Sequence, residues 1–294
     1  MTENSVAIGR ENGTDIKKTP ASAQLDYRDF QRTALVLSGY RSGSHMLKLS
    51  LARLAQMQGP PEPLSPYFVE RARFNLSDFI AQGGPSEPIF THATAAFREF
   101  LARFYAHMER EQKILFDVKY DQAFTFGVDP LMETTLPAPI VLQEFALQNV
   151  PVIHLTRRDI VAQAMSLLVA ERSGEFLRMS HVSAGDALPP VRLSPRDVLA
   201  GAQRIQHARL HFDRLLPMLG MRVLTVEYEE LAAGNSVEVL RSALRFLGRY
   251  ADVPQGFSFP TQRQGSESSV INALEIRDYI AARAPEILGN TALR

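Results

Sequence analysis

Between Thr33 and His45 the chain passes from strand to helix with almost no spacer, and that junction limits what it can fold into. Ala34-Leu35-Val36-Leu37 is an unbroken apolar run, the pattern of a strand covered on both faces in a parallel sheet. It stops at Ser38-Gly39, and Arg41-Ser42-Gly43-Ser44 leads into Leu47, Leu51, Leu54 and Ala55. Those four fall on one helical stripe, with Lys48 and Arg53 read as lying outside it. A strand that turns sharply into a helix through Gly and Ser gathers backbone N–H groups and a positive helix end at one spot. Such a spot suits phosphate or a phosphate-like anion.

The same alternation recurs downstream. The helix from Ser44 is expected to run to Gln58 and to stop at Gly59-Pro60-Pro61-Glu62-Pro63, because proline cannot continue the backbone bonding. Residues 64–90 are turn-rich and read as a surface excursion. Helical patterns follow at 94–110, 138–148, from 160 through Glu171, at 196–216, 236–248 and 273–282. Strand patterns fall at 114–119, 151–156 and 222–226. Residues 173–195 read as a loop or lid, and 255–269 as irregular. Short apolar strands alternating with amphipathic helices predict one α/β domain, a parallel sheet flanked by helices on both faces, over residues 29–294. Residues 1–28 are polar and read as a disordered tail. In such a sheet ligands gather at the carboxyl ends of the strands.

Composition narrows the function classes. Lys+Arg and Asp+Glu balance at 32 each, so no global field recruits nucleic acid or an anionic membrane. The basic residues are mostly arginine, with lysine only at 17, 18, 48, 113 and 119; arginine's fork suits phosphate and sulfate oxygens. The absence of cysteine excludes disulfide scaffolds, thiolate nucleophiles and zinc–cysteine sites. The seven histidines (45, 92, 107, 154, 181, 207 and 211) show no paired metal-ligand spacing, so no metal is expected. No apolar run approaches a membrane span, and the N-terminus lacks a secretory core. A cytoplasmic protein of bacterial character is expected.

Two segments carry the chemistry. In the first, the N–H groups around Ser42, Gly43 and Ser44 would cradle an anion, Arg41 would supply charge, and Ser44 or His45 a side-chain donor. The plain alternative is a strand-to-helix turn capped by Ser44. A Walker GxxxxGK[ST] pattern is missing, because no lysine follows the glycine and Lys48 lies within the helix. In the second, Arg157-Arg158-Asp159 ends a strand, and Ser166 lies about two turns into the next helix. The arginines would hold a second anion, or Asp159 would cap the helix and leave them solvated.

Together the segments resemble the 3′-phosphoadenosine 5′-phosphosulfate-dependent sulfotransferases. The wording is most similar to the bacterial carbohydrate enzymes of the trehalose-sulfotransferase and nodulation-factor types. The segments that carry the resemblance are Tyr40-Arg-Ser-Gly-Ser-His45, Asp117-Val-Lys119, Arg157-Arg-Asp…Gln163-Ala-Met-Ser166 and Tyr228-Glu-Glu-Leu231. The resemblance implies a P-loop-type sheet whose first loop holds the 5′-phosphosulfate, with Arg158 and Ser166, eight apart, on the 3′-phosphate. It implies Glu62 as general base on an acceptor hydroxyl, a task that Glu70 or a histidine would also suit. It places Lys119 towards the transferring group or the acceptor, and Arg263 as closing over the nucleotide; the plain readings are a strand-end charge and a solvated loop. Tyr228-Glu229-Glu230-Leu231 reads as structural, the tyrosine packing and the glutamates opening a turn. Two departures stand in the loop: Tyr40 where the family has Pro, and His45 where it has Ser or Thr. The implied reaction is sulfuryl transfer to a carbohydrate or glycolipid hydroxyl, releasing adenosine 3′,5′-bisphosphate. Two other functions fit the same sheet, a nucleotide-dependent kinase and a non-catalytic binding protein. The sequence is silent on oligomeric state.

Overall fold

In the computed structural model, the described residues are 25–58, 62–65, 74–81, 84, 93–128, 137–174, 189–232, 236–249, 253–254, 257 and 269–289. Among them, four strands form one parallel sheet: β1 (Thr33–Ser38), β2 (Ile114–Lys119), β3 (Val152–Thr156) and β4 (Val223–Glu227), in the order β2-β1-β3-β4. The register sets Ser38 beside Lys119 on one side and beside Leu155 on the other. Strand β2 therefore lies on one flank of β1, and the next strand crosses to the opposite flank. This is the topological switch point at which open α/β sheets bind ligands.

The uninterrupted apolar runs follow from burial on both faces. Leu35, Leu37, Ile114, Phe116 and Val118 pack on one face against α4 (Ala93–Ala106) and α5 (Ile140–Leu147). Phe97 and Phe145 meet edge to face there at 5.9 Å, and Phe104 meets Phe116 at 5.0 Å. Ala34, Val36, Leu115, Ile153 and Leu155 fill the other face with α2 (Ser44–Ala55) and α9 (Ser236–Phe246). Each fully buried Phe or Leu contributes roughly 1.5–3 kcal/mol. A third apolar cluster joins α6 (Ile160–Ser173), α7 (Pro195–Met218), α10 (Ala273–Arg283) and α11 (Pro285–Gly289). Helix α6 is capped by Asp159, which accepts from the Ala162 N–H at 2.9 Å, and α7 begins at a Ser194 cap followed by Pro195. The remaining helices are short: α1 (Tyr27–Gln31), α3 (Leu76–Ala81) and α8 (Tyr228–Ala232).

The α/β sheet with helices on both faces is as the sequence predicts. Helix α2 ends at Ala55, where its apolar stripe ends and short of the expected Gln58. Gln56 takes a left-handed conformation (φ 49°), and Gln58 runs alongside the start of β2, donating to Lys113 O and accepting from Leu115 N, each at 2.7 Å. The stretch before the prolines serves as sheet edge rather than helix. A second difference is Lys48, read as outside the α2 stripe but only 4% exposed. Helix α3 lies in the segment expected to be turns. Residues 1–24 of the expected tail and 175–188 of the expected lid lie outside the described residues.

Candidate functional site

The junction after β1 folds into a tight cradle. Arg41 and Gly43 both take left-handed backbone conformations (φ 61° and 87°), the kind of local reversal that turns successive N–H groups towards one concavity. Ser42 closes the loop on itself by donating from Oγ to the Gly39 carbonyl at 2.8 Å. Gln163, in the first turn of α6, donates to the Tyr40 carbonyl at 2.7 Å and braces the loop from β3's side. Only glycine fits at 43, since a Cβ there would lie 2.4 Å from the Tyr228 ring. Leu47 N–H bonds back to the Gly43 carbonyl at 3.1 Å, so α2 starts directly out of the cradle.

Arginines gather on the β3 side. Arg41 donates from Nε to Ser166 Oγ at 2.9 Å. Burial, and then the charge of Arg157, lower its pKa. The Arg157 guanidinium lies 4.9 Å over the Tyr228 ring, and one of its NH groups reaches the Arg41 carbonyl at 3.5 Å. Its Nε is buried with no hydrogen-bond partner among the described residues. An orphaned buried donor beside a second guanidinium is what a site awaiting anionic oxygens contains. Arg158 turns the other way and pairs with Glu227 at the end of β4, and its pKa is raised chiefly by that hydrogen bond. Its backbone N–H and that of Asp159 donate to Glu229, at 2.9 and 3.1 Å. Ser166 is thus brought to Arg41, and no hydrogen bond joins it to Arg158 among the described residues.

The β2 side is built from paired charges. Lys119 is 2% exposed, and its Nζ donates to Ser44 Oγ at 2.7 Å, Asp117 Oδ1 at 2.9 Å and Ser38 Oγ at 3.3 Å. Glu62 Oε1 stands 3.4 Å from the same nitrogen. The Lys48 ammonium meets Asp117 Oδ2 at 2.6 Å, and Ser44 donates to that oxygen at 3.4 Å. Burial raises Asp117, but Lys119 and Lys48 overcome it and hold the carboxyl down at about 2. Burial likewise opposes the charge on Lys119, while Asp117 and Glu62 carry its pKa above the ordinary lysine value.

Gln122 joins the loop to Glu62. Its Nε2 donates to Glu62 Oε2 at 2.9 Å and to the Tyr40 hydroxyl at 3.4 Å, and its Oε1 accepts from Lys119 N–H at 3.0 Å. Tyr40 in turn donates to Asp121 at 3.1 Å; burial, then Asp121 and Glu62, raise its pKa and keep it a neutral donor.

The site therefore brings together Arg41, Ser42, Gly43, Ser44, Lys119, Glu62, Arg157 and Ser166, and sets Arg158 at its rim. His45 lies in the first turn of α2, partly buried. Arg263 and Glu70 lie outside the described residues. Sequence reasoning missed Asp117 as a charged centre, Lys48, Gln122, Gln163 and the close packing of Tyr228 on Gly43. The one signal for Asp117 was a carboxylate inside an otherwise apolar strand, which stays buried only when paired. No group of three or more metal-ligating side chains occurs among the described residues. Nor is any helix among them long and apolar enough to cross a membrane.

No protein-family profile matches the chain, and no curated protein matches it. Among solved structures, the crystal structure of a sulfotransferase from Alicyclobacillus acidocaldarius is similar at 15% identity with a TM-score of 0.45. The match covers 88% of this chain and 93% of that one.

Proposed function

We propose that the chain is a sulfotransferase that moves a sulfuryl group from 3′-phosphoadenosine 5′-phosphosulfate to a hydroxyl of a carbohydrate or glycolipid. The observation that carries this reading is the cradle at residues 39–44, with Arg41 and Arg157 on one side and Lys119 on the other. Its cations come from neighbouring strand ends, and the loop contains no Walker lysine. That arrangement suits a group transfer governed by positioning and charge stabilisation.

In this reading the cradle and Arg41 hold the 5′-phosphosulfate of the donor. Lys119 turns towards the transferring group and stabilises the charge that builds on the bridging oxygen as its bond to sulfur breaks. The acceptor oxygen forms the new bond to sulfur from the opposite side, and its proton passes to Glu62. Ser166 and Arg157 border the second anion position. Arg158 would join them by leaving Glu227, a surface pair that holds weakly.

Thermal stabilisation measured with adenosine 3′,5′-bisphosphate and with Mg-ATP tests the reading. A saturable upward shift with the bisphosphate alone is expected. Stabilisation by Mg-ATP alone would transfer the site to a kinase, and bisphosphate binding without transfer to any of a panel of sugars would leave a binding protein.

A further inference from the structure

We propose that Lys48 is a positioning residue: it keeps Asp117 neutralised, so that Lys119 can turn from that carboxylate towards an anion in the cradle. The inference rests on the reading of residues 39–44 as the donor site. It concerns a side chain that touches neither donor nor acceptor.

The geometry is that of two ammonium groups sharing one carboxylate. Lys119 binds both oxygens of Asp117, at 2.9 and 3.0 Å, and Lys48 binds Oδ2 at 2.6 Å. All three side chains are nearly inaccessible to water, at 2, 4 and 1% exposure for Lys119, Lys48 and Asp117. A buried carboxylate stripped of its only cation is strongly disfavoured. With Lys119 as sole partner, Asp117 would hold that ammonium in place and compete with any incoming anion. With Lys48 fixed on Oδ2 and the Ser44 hydroxyl beside it, Asp117 keeps a cation and a donor when Lys119 leaves. Lys119 needs only a short swing, since its Nζ already lies 2.7 Å from Ser44 Oγ, the first residue of the helix that leaves the cradle.

Lys48 reaches Asp117 because it is one helical turn beyond Ser44, and residues four apart share a face. The two side chains that address Asp117 from α2 thus come from consecutive turns on its sheet-facing side. Glu62 Oε1, 3.4 Å from Lys119 Nζ, supplies a second carboxylate.

Calorimetric titration of adenosine 3′,5′-bisphosphate into four chains tests this: the unaltered protein, Lys48→Met, Asp117→Asn, and the double variant. Lys48→Met should bind roughly tenfold to a hundredfold more weakly, the loss expected when one charge-assisted hydrogen bond to the ligand is withheld. Adding Asp117→Asn should restore binding to the level of Asp117→Asn alone, because the competing carboxylate is gone. A purely structural Lys48 would lower the melting temperature with affinity unchanged, and that result overturns the inference. So does a double variant that binds much more weakly than Asp117→Asn. This last comparison holds even if Lys48→Met alone fails to fold, since the double variant removes a neutral pair. No binding to the unaltered chain would remove the donor-site reading and this inference with it, whereas binding insensitive to Lys48 removes the inference alone.

Discussion

The two sides of the cradle hold cations in opposite ways. Towards β3, Arg41 faces a neutral hydroxyl and another guanidinium, and its pKa is lowered by burial and by that neighbour. Towards β2, Lys119 is buried more deeply yet has its pKa raised, because Asp117 and Glu62 stand against it. Burial disfavours both charges, and the partners decide the sign. One side sets guanidinium against guanidinium around a shared hydroxyl. The other is already satisfied and must rearrange to take part.

Substitution on the two sides should give opposite pairs of results, and this is the largest effect expected. Arg41→Ala should weaken binding of adenosine 3′,5′-bisphosphate by roughly a hundredfold, with a smaller loss of urea stability than at Asp117. Asp117→Ala should cost about 3–5 kcal/mol of stability by leaving buried ammonium groups short of a partner. Equal stability losses in the two variants would erase the contrast. Acid provides the next test. The folded pKa of Asp117, about 2, lies below the ordinary aspartate value of 3.8. A depressed carboxyl contributes stability above its unfolded pKa and loses it as pH falls through the folded one. The stability difference between the unaltered chain and Asp117→Asn should therefore shrink by about 2 kcal/mol between pH 5 and pH 2, as read from urea midpoints; a constant difference would show that Asp117 titrates normally. The smallest effect concerns the rim. Glu227→Gln releases Arg158 and should tighten bisphosphate binding by roughly threefold at low salt, less at high salt. Weaker binding would mean that the pair orients the β4 end instead.

Much of this was legible in the sequence. Apolar runs at Ala34–Leu37 and 114–116 specify strands covered on both sides, and Gly43 between two serines marks the turn into α2. The spacing of Arg158 and Ser166 was legible too, but not its geometry. Spacing along a chain says nothing of which way a strand-end arginine turns, and here Glu227, from another strand, captures Arg158. Lys48 misled for a related reason. Three residues before Leu51 and seven before Ala55, it borders the apolar stripe, but a lysine there reads as solvated, and the carboxylate in the facing strand makes its burial tolerable. The departure at Tyr40 also becomes intelligible: its hydroxyl joins the loop to Asp121 and Gln122, contacts that proline could not make.

The ring of Tyr228 against Gly43 has a bearing on how the protein matures. The cradle's wall comes from beyond β4, so its shape depends on a contact between distant parts of the chain. Contacts of long sequence separation form at high entropic cost and slow the folding that depends on them. A polypeptide emerging from the ribosome would assemble β1 and α2 early, yet it would have no finished cradle until the segment after Glu227 had been synthesised and docked. The shape of residues 39–44 would thus be set late, near the completion of the sheet.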